Sequence, residues 1–167
     1  MDEGYTSAID DFVFMDGIFD LCRVAVANDY LVIVVTNQAG IGRGFYTETD
    51  FWKLTDWMVE QFAAREIKIS EVYFCPYHAE YGVGEYKKES FDRKPNPGML
   101  LKAALNQHLS MPKSIMIGDK ASDMHAAYHA GVGIRCQFLH HQNDQPCSDS
   151  THAIYELTEA LSLLTPG

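Results

Sequence analysis

At 167 residues the chain is long enough for one domain with a sizeable core, and 47% hydrophobic with 22% charged content excludes a disordered composition. Thirteen basic residues against 23 acidic ones give a formal charge of -10, which disfavours nonspecific binding to nucleic acid or anionic membrane but leaves room for a local basic pocket. No apolar run approaches the ~20 residues that span a bilayer, and no basic stretch with an apolar signal core opens the sequence, so a cytoplasmic single domain over residues 1–167 is expected.

Apolar spacing from Phe14 to Asn28 predicts a first helix, and Tyr30 to Thr36 reads as a buried strand. Thr47 is placed to cap a long helix to about Ala64, with Phe51, Leu54, Trp57, Met58 and Phe62 at helical spacing. That aromatic stripe reads as core. Val72 to Cys75 is the next strand, followed by a polar, glycine-bearing loop from Pro76 to Asp92. Asn96 is the expected cap of a helix holding Pro97 in its first turn. Ser114 to Ile117 forms a strand, Ser122 to Ala130 a helix stopped at Gly131, and Ile134 to about Leu139 a final strand. A loop and a helix from Ala153 to Leu164 complete the chain. Such alternation predicts a mostly parallel sheet covered by helices.

The cysteines Cys22, Cys75, Cys136 and Cys147 are dispersed, with no C-x-x-C spacing, and read as reduced thiols. The adjacent His140 and His141 stand in polar surroundings that suggest an exposed loop. Adjacency alone does not make a metal site, which needs convergent ligands.

Chemistry concentrates in three loops at predicted strand ends. The first, Thr36-Asn-Gln-Ala-Gly-Ile-Gly-Arg-Gly44, offers a hydroxyl, amides and glycine-exposed N–H groups suited to phosphate oxygens, with Arg43 as added charge. It matches neither the Walker A pattern nor the dinucleotide fingerprint, and a plain glycine-rich turn is the alternative. The second, Asp92-Arg-Lys-Pro-Asn-Pro-Gly98, presents Arg93 and Lys94 just ahead of a helix, where anions are favoured. A solvated charge pair in a proline turn is the alternative there. The third, Gly118-Asp-Lys-Ala-Ser-Asp123, sets two carboxylates around Lys120 after an apolar strand. Asp119 and Asp123 suit a hard cation such as Mg²⁺. The plainer reading is a capped helix, with Ser122 or Asp123 as the cap. Phosphate grip, cationic clamp and magnesium acids together describe a phosphoryl-transfer site.

These three segments, in this order, resemble the haloacid dehalogenase phosphatase superfamily, and within it the heptose bisphosphate phosphatases, with the histidinol-phosphatase branch as nearest relative. The similarity runs from about Gly4 to the carboxyl-terminal helix. It implies a three-layer Rossmann-like fold and an aspartyl-phosphate mechanism that removes the C7 phosphate of D-glycero-D-manno-heptose 1,7-bisphosphate, a step toward lipopolysaccharide core or nucleotide-heptose precursors. Histidinol-phosphate hydrolysis is the enzymatic alternative. Carried over, Thr36 and Asn37 would bind the transferring phosphoryl group, with Thr36 and Lys94 the catalytic pair. Lys94 would neutralise that group and the nucleophile, and Arg93 would help hold the sugar bisphosphate. Asp119 would ligate Mg²⁺, supported by Lys120 and Asp123. The implied partner is a small phosphorylated sugar, bound by a monomer.

The chain departs from that pattern twice. One branch of the family holds a structural zinc, but here Cys75 is followed by Tyr77 and His78, and Ser90 and Asp92 stand at the remaining ligand positions. That is a poor zinc set, so no structural zinc is expected. The family's first strand, ending in Asp-x-Asp with the nucleophile, also has no counterpart. Asp2 and Glu3 lack a preceding strand, and Asp10 and Asp11 fall downstream of the motif. That strand belongs at the sheet centre, between the strands ending at Thr36 and Gly118. Its loss predicts an unfilled slot with unpaired backbone groups. A start misplaced downstream of the motif is the expected cause, and a non-catalytic sugar-phosphate-binding relative is the alternative.

Overall fold

Strands and helices alternate in the computed structural model, which describes residues 12–165 together with Ala8. In chain order the elements are α1 (Ile18–Ala27), β1 (Val32–Asn37), a short α2 (Ala39–Gly42), α3 (Glu48–Ala63), β2 (Ile69–Cys75), α4 (Gly98–Gln107), β3 (Ile115–Gly118), α5 (Ala121–His129), β4 (Ile134–Phe138) and β5 (His152–Ile154). Turns of 3-10 helix occur at Gly84–Tyr86, Met111–Lys113 and Leu157–Leu163. Every strand pairing is parallel, as the alternation predicts.

The described strands form two sheets. One pairs β1 with β2, setting Thr36 beside Phe74 and Asn37 beside Cys75. The other runs β3–β4–β5, with Gly118 beside Gln137 and Phe138 beside Ile154. Among the described residues no strand lies between β1 and β3. A cleft of about 580 Å³ occupies that place, walled by residues 32–35 of β1 and 115–118 of β3, with Lys94, Asp119 and Asp123 also lining it. Among the described residues, this cleft lies where the family resemblance places the strand that ends in Asp-x-Asp.

Each half has its own core. Around β1 and β2, the buried side chains of Phe51, Phe62, Ile67, Ile69 and Val72 pack with Phe14 and Phe19. Ring centroids lie 4.8 Å apart for Phe14–Phe19 and 4.9 Å for Phe19–Phe62. The α3 stripe is thus core. Around β3 and β4, Met116, Met124, Ala126, Ala127 and Val132 pack closely. Leu21, Cys136, Ile154, Leu157 and Ala160 form a third cluster. Burial of each large apolar side chain contributes about 1.5–3 kcal/mol.

Several boundaries differ from the sequence reading, each for a local reason. Helix α1 starts only at Ile18, because Gly17 takes a left-handed conformation (φ 85) ahead of it. Pro97 itself is the cap of α4, while the Asn96 amide donates to the Ser90 carbonyl at 3.1 Å. Ala153 lies in β5, opposite Gln137, and no α-helix runs from there to Leu164. Leu157, Ala160 and Leu163 recur every three residues, which suits the 3-10 turn found at Leu157–Leu163 better than an α-helical face.

Candidate active site

The ends of β1, β3 and β4 deliver the chemistry to one edge of the molecule, as parallel sheets do at their carboxyl ends. Asn37 closes β1 and exchanges two bonds with the backbone of Lys94. Its amide nitrogen donates to the Lys94 carbonyl at 3.1 Å, and its amide oxygen accepts from the Lys94 N–H at 3.0 Å. The Lys94–Pro95 peptide is cis. So placed, the Lys94 ammonium donates to the Val35 carbonyl of β1 at 3.2 Å and to Asp123 at 2.5 Å. Both side chains are largely shielded, at 11% and 7% exposure. One cation therefore ties the edge of β1 to the first turn of α5 across the cleft.

Asp123 is fully engaged. Its second oxygen accepts the Lys120 N–H at 3.1 Å, so it both closes the first turn of α5 and holds Lys94. Neither Ser122 nor Asp123 is itself the cap of α5: Lys120 holds that position, and Asp123 takes part as the third residue of the capping box. Gly118 allows the arrangement, because a Cβ there would sit 2.4 Å from an Asp123 carboxylate oxygen. Asp119 differs. It is 49% exposed and meets His140 Nε2 at 3.1 Å.

Thr36 is the residue before Asn37 in β1. Its hydroxyl donates to the Asn37 carbonyl at 3.3 Å and accepts from the Gln38 amide at 2.8 Å. The Tyr46 hydroxyl donates in turn to Gln38. The glycine loop that follows is not an open cradle of N–H groups. The N–H groups of Ile41, Arg43 and Gly44 are spent within the α2 turn, and that of Gln38 on the Cys75 carbonyl. A Cβ on Gly42 would lie 2.2 Å from the Pro76 carbonyl oxygen, so this glycine serves close packing. Arg43 lies over the Phe45 and Tyr81 rings at 4.9 and 5.0 Å.

The loop after β2 brings more positive charge to the same side. Arg93 donates to the Tyr77 carbonyl at 3.4 Å, and Lys88 lies 4.1 Å over the Tyr77 ring. His78 is held below the usual histidine value by partial loss of water and then by the Arg93 charge, with Arg43 adding to the effect and Glu80 opposing it. His78 Nδ1 accepts the N–H groups of Glu80 and Tyr81. Ser90 Oγ accepts the Asp92 N–H, Asp92 pairs with Lys102, and Cys75 is fully buried. Hydrogen bonds and an ion pair thus order this loop.

Thr36, Asn37, Lys94, Asp119 and Asp123 are brought together, with Lys120 contributing its backbone N–H and Arg93 placed on the adjoining loop. Asp2, Glu3, Asp10 and Asp11 lie outside the described residues. Sequence reasoning missed Gln38 and Tyr46 behind Thr36, and it left His140 in a featureless loop. No local pattern marks His140, since its approach to Asp119 depends on how β4 lies beside β3. Asp119 is an oxygen donor open to water, which fits Mg²⁺, an ion held by one or two carboxylates with waters and phosphate oxygens completing its shell.

The fold and this edge define a hydrolase of the haloacid dehalogenase type. Residues 91–135 match the HAD-hydrolase-like family model. The solved structure of a Mesorhizobium loti protein named HAD-like phosphatase superposes with TM-score 0.84 at 27% identity, covering 98% of this chain and 79% of that one. The D,D-heptose 1,7-bisphosphate phosphatase of B. bronchiseptica, complexed with magnesium and phosphate, shares the fold at TM-score 0.81 and 19% identity, over 98% and 89% of the two chains.

In sequence, the chain is 55% identical over 132 residues to the D-glycero-alpha-D-manno-heptose-1,7-bisphosphate 7-phosphatase of Burkholderia mallei, covering 79% of this chain and 70% of the relative. Identity is 44% to the corresponding beta-named enzyme of Vibrio cholerae, over 81% and 73% of the two chains. It is 43% to that of Escherichia coli K12, over 81% and 71%. The chain belongs to the D-glycero-D-manno-heptose-1,7-bisphosphate 7-phosphatase family of HAD hydrolases. Among the described residues no helix is long and apolar enough to cross a membrane.

Proposed function

We propose that this chain is a magnesium-dependent phosphatase that removes the C7 phosphate of D-glycero-D-manno-heptose 1,7-bisphosphate, acting as a cytoplasmic monomer of one domain. The observation that carries the reading is Lys94, fixed between the Val35 carbonyl and Asp123 in the cleft that Asp119 also lines, at the end of the strand that carries Thr36. In this reading Lys94 neutralises the transferring phosphoryl group, and the Thr36 hydroxyl and Asn37 N–H bind its oxygens. Asp123 holds Lys94 in place, and the Lys120 N–H holds Asp123. Arg93 binds the distal part of the sugar bisphosphate. Asp119 would hold the magnesium ion, which when bound supplies charge neutralisation at the phosphate. The attacking carboxylate of the aspartyl-phosphate route is not among the described residues.

A non-catalytic sugar-phosphate-binding protein is the second reading. One observation favours it: of the two described carboxylates at the edge, Asp123 is committed to Lys94 and Asp119 faces His140. Phosphate release from both anomers of the bisphosphate and from histidinol phosphate, measured with the full chain and Mg²⁺, separates the readings. Release from the heptose bisphosphate alone is the expected result. Calorimetric binding of the bisphosphate without any release would establish the second reading.

A further inference from the structure

A second chemical constellation lies on the far side of α5. His125 projects from that helix, and its Nδ1 bonds the Asp149 carboxylate on the loop between β4 and β5. Its other ring nitrogen, Nε2, lies 3.7 Å from Cys147 Sγ, two residues before that carboxylate. The sulfur also accepts the Asp149 N–H at 3.4 Å. Thiol, imidazole and carboxylate thus stand in line, each ring nitrogen facing one partner. This is the order in which a base takes a nucleophile's proton while a carboxylate fixes its tautomer.

The loop is held in this shape from β4. The buried Gln137 side chain accepts both the Cys147 N–H at 2.7 Å and the Ser150 hydroxyl at 2.8 Å. Arg135 donates to the Asp149 carbonyl at 2.5 Å and lies over Tyr128 of α5. Reagents have access, since His125 is 41% exposed and Cys147 is half-buried. The other thiols differ. Burial pushes Cys22 and Cys136 up to about 11, with Glu159 adding at Cys136, and Cys75 has no exposed surface.

We propose that Cys147, His125 and Asp149 form a nucleophilic thiol centre, at which Cys147 is the site of modification by small electrophiles, hydroperoxides among them. With hydrogen peroxide the S–O bond forms as the O–O bond breaks. The thiol proton passes through His125 Nε2 to the departing hydroxide, giving a sulfenic acid and water. With iodoacetamide the S–C bond forms, iodide leaves and His125 takes the proton.

Iodoacetamide labelling of the full chain, resolved cysteine by cysteine by mass spectrometry, tests this directly. Cys147 should label before Cys22, Cys75 and Cys136, and faster than N-acetylcysteine amide under the same conditions. His125→Asn should slow Cys147 about tenfold. Asp149→Asn should slow it less, and added imidazole should restore the rate in His125→Gly. Dimedone should trap a sulfenic acid at Cys147 after a peroxide pulse. A wild-type rate no faster than the model thiol overturns the proposal, and so does labelling that His125→Asn and Asp149→Asn leave unchanged in chains of wild-type Tm. One-to-one Zn²⁺ binding that alone accounts for any His125 dependence would make the trio a metal site and overturn it as well.

Discussion

The β1–β2 half of the molecule is filled with rings, whereas the β3–β5 half is packed with methionine, alanine and short aliphatic side chains. Packing holds each half. Across the seam between them, Leu21 and Ile18 of α1 pack against Ile154 and Leu157 of the β3–β5 half, and Lys94 adds a polar tie, reaching the Val35 carbonyl on one side and Asp123 on the other. A buried ion pair is poor at adding stability but costly to break on one side. Lys94, proposed above to meet the phosphate, is therefore also one of the ties between the two halves.

Lys94→Met is the strongest way to break this arrangement. It leaves Asp123, only 7% exposed, without its partner, at a cost of about 3–5 kcal/mol. Urea unfolding should show that loss, and phosphate release should fall on the order of 10²–10³-fold. Lys94→Met with Asp123→Leu should recover much of the stability and none of the activity. An unchanged urea midpoint in Lys94→Met would mean that this pair adds nothing to the apolar packing that joins the halves.

Asp119→Asn probes the opposite case. This carboxylate lines the cleft, is 49% exposed and meets the exposed His140, so unfolding should shift by no more than about 0.5 kcal/mol. Magnesium-dependent phosphate release should nevertheless drop on the order of 10²-fold or more. If stability fell as far as in Lys94→Met, Asp119 would belong to the seam and not to the ligand.

Gly118→Ala tests the seam from the backbone side. A Cβ would meet the Asp123 carboxylate at 2.4 Å and push it from Lys94. Overpacking of this kind costs about 1–3 kcal/mol. Calorimetric unfolding should show the loss, and restored wild-type stability in Gly118→Ala with Asp123→Ala would place the clash at that side chain.

The contrast also explains what could be seen in the sequence. The α3 stripe and its Thr47 cap were legible because both depend on neighbours within a turn or two. The cleft between β1 and β3 was legible only through the family resemblance, which places a strand between the two. The commitment of Asp123 to Lys94 was not, since those residues are 29 apart and meet only once both halves have folded. His140 stayed hidden for the same reason. The glycine loop misled because Gly42 answers to the Pro76 carbonyl, a contact that spacing alone cannot reveal.

The smallest effect belongs to a site where everything is local. The Thr47 hydroxyl accepts the Asp50 N–H at 3.0 Å while the Thr47 N–H donates to the Asp50 carboxylate at 3.0 Å, closing the first turn of α3. Bonds from the Thr47 backbone, then from its hydroxyl, hold the Asp50 carboxyl below its usual value, with Lys53 adding slightly and loss of water opposing. A carboxyl so depressed contributes stability above its ordinary value of about 3.9, and loses it as pH falls through the lower folded value. Thr47→Ala should therefore lower Tm by about 2–4 °C at pH 7. The gap should narrow as pH drops below about 4, where protonation removes the carboxylate's share in both proteins. Calorimetric scans between pH 7 and 3 would decide it. A gap of constant size would assign the whole effect of the substitution to the hydroxyl's bond with the Asp50 N–H, since the Thr47 N–H still reaches the Asp50 carboxylate in both proteins.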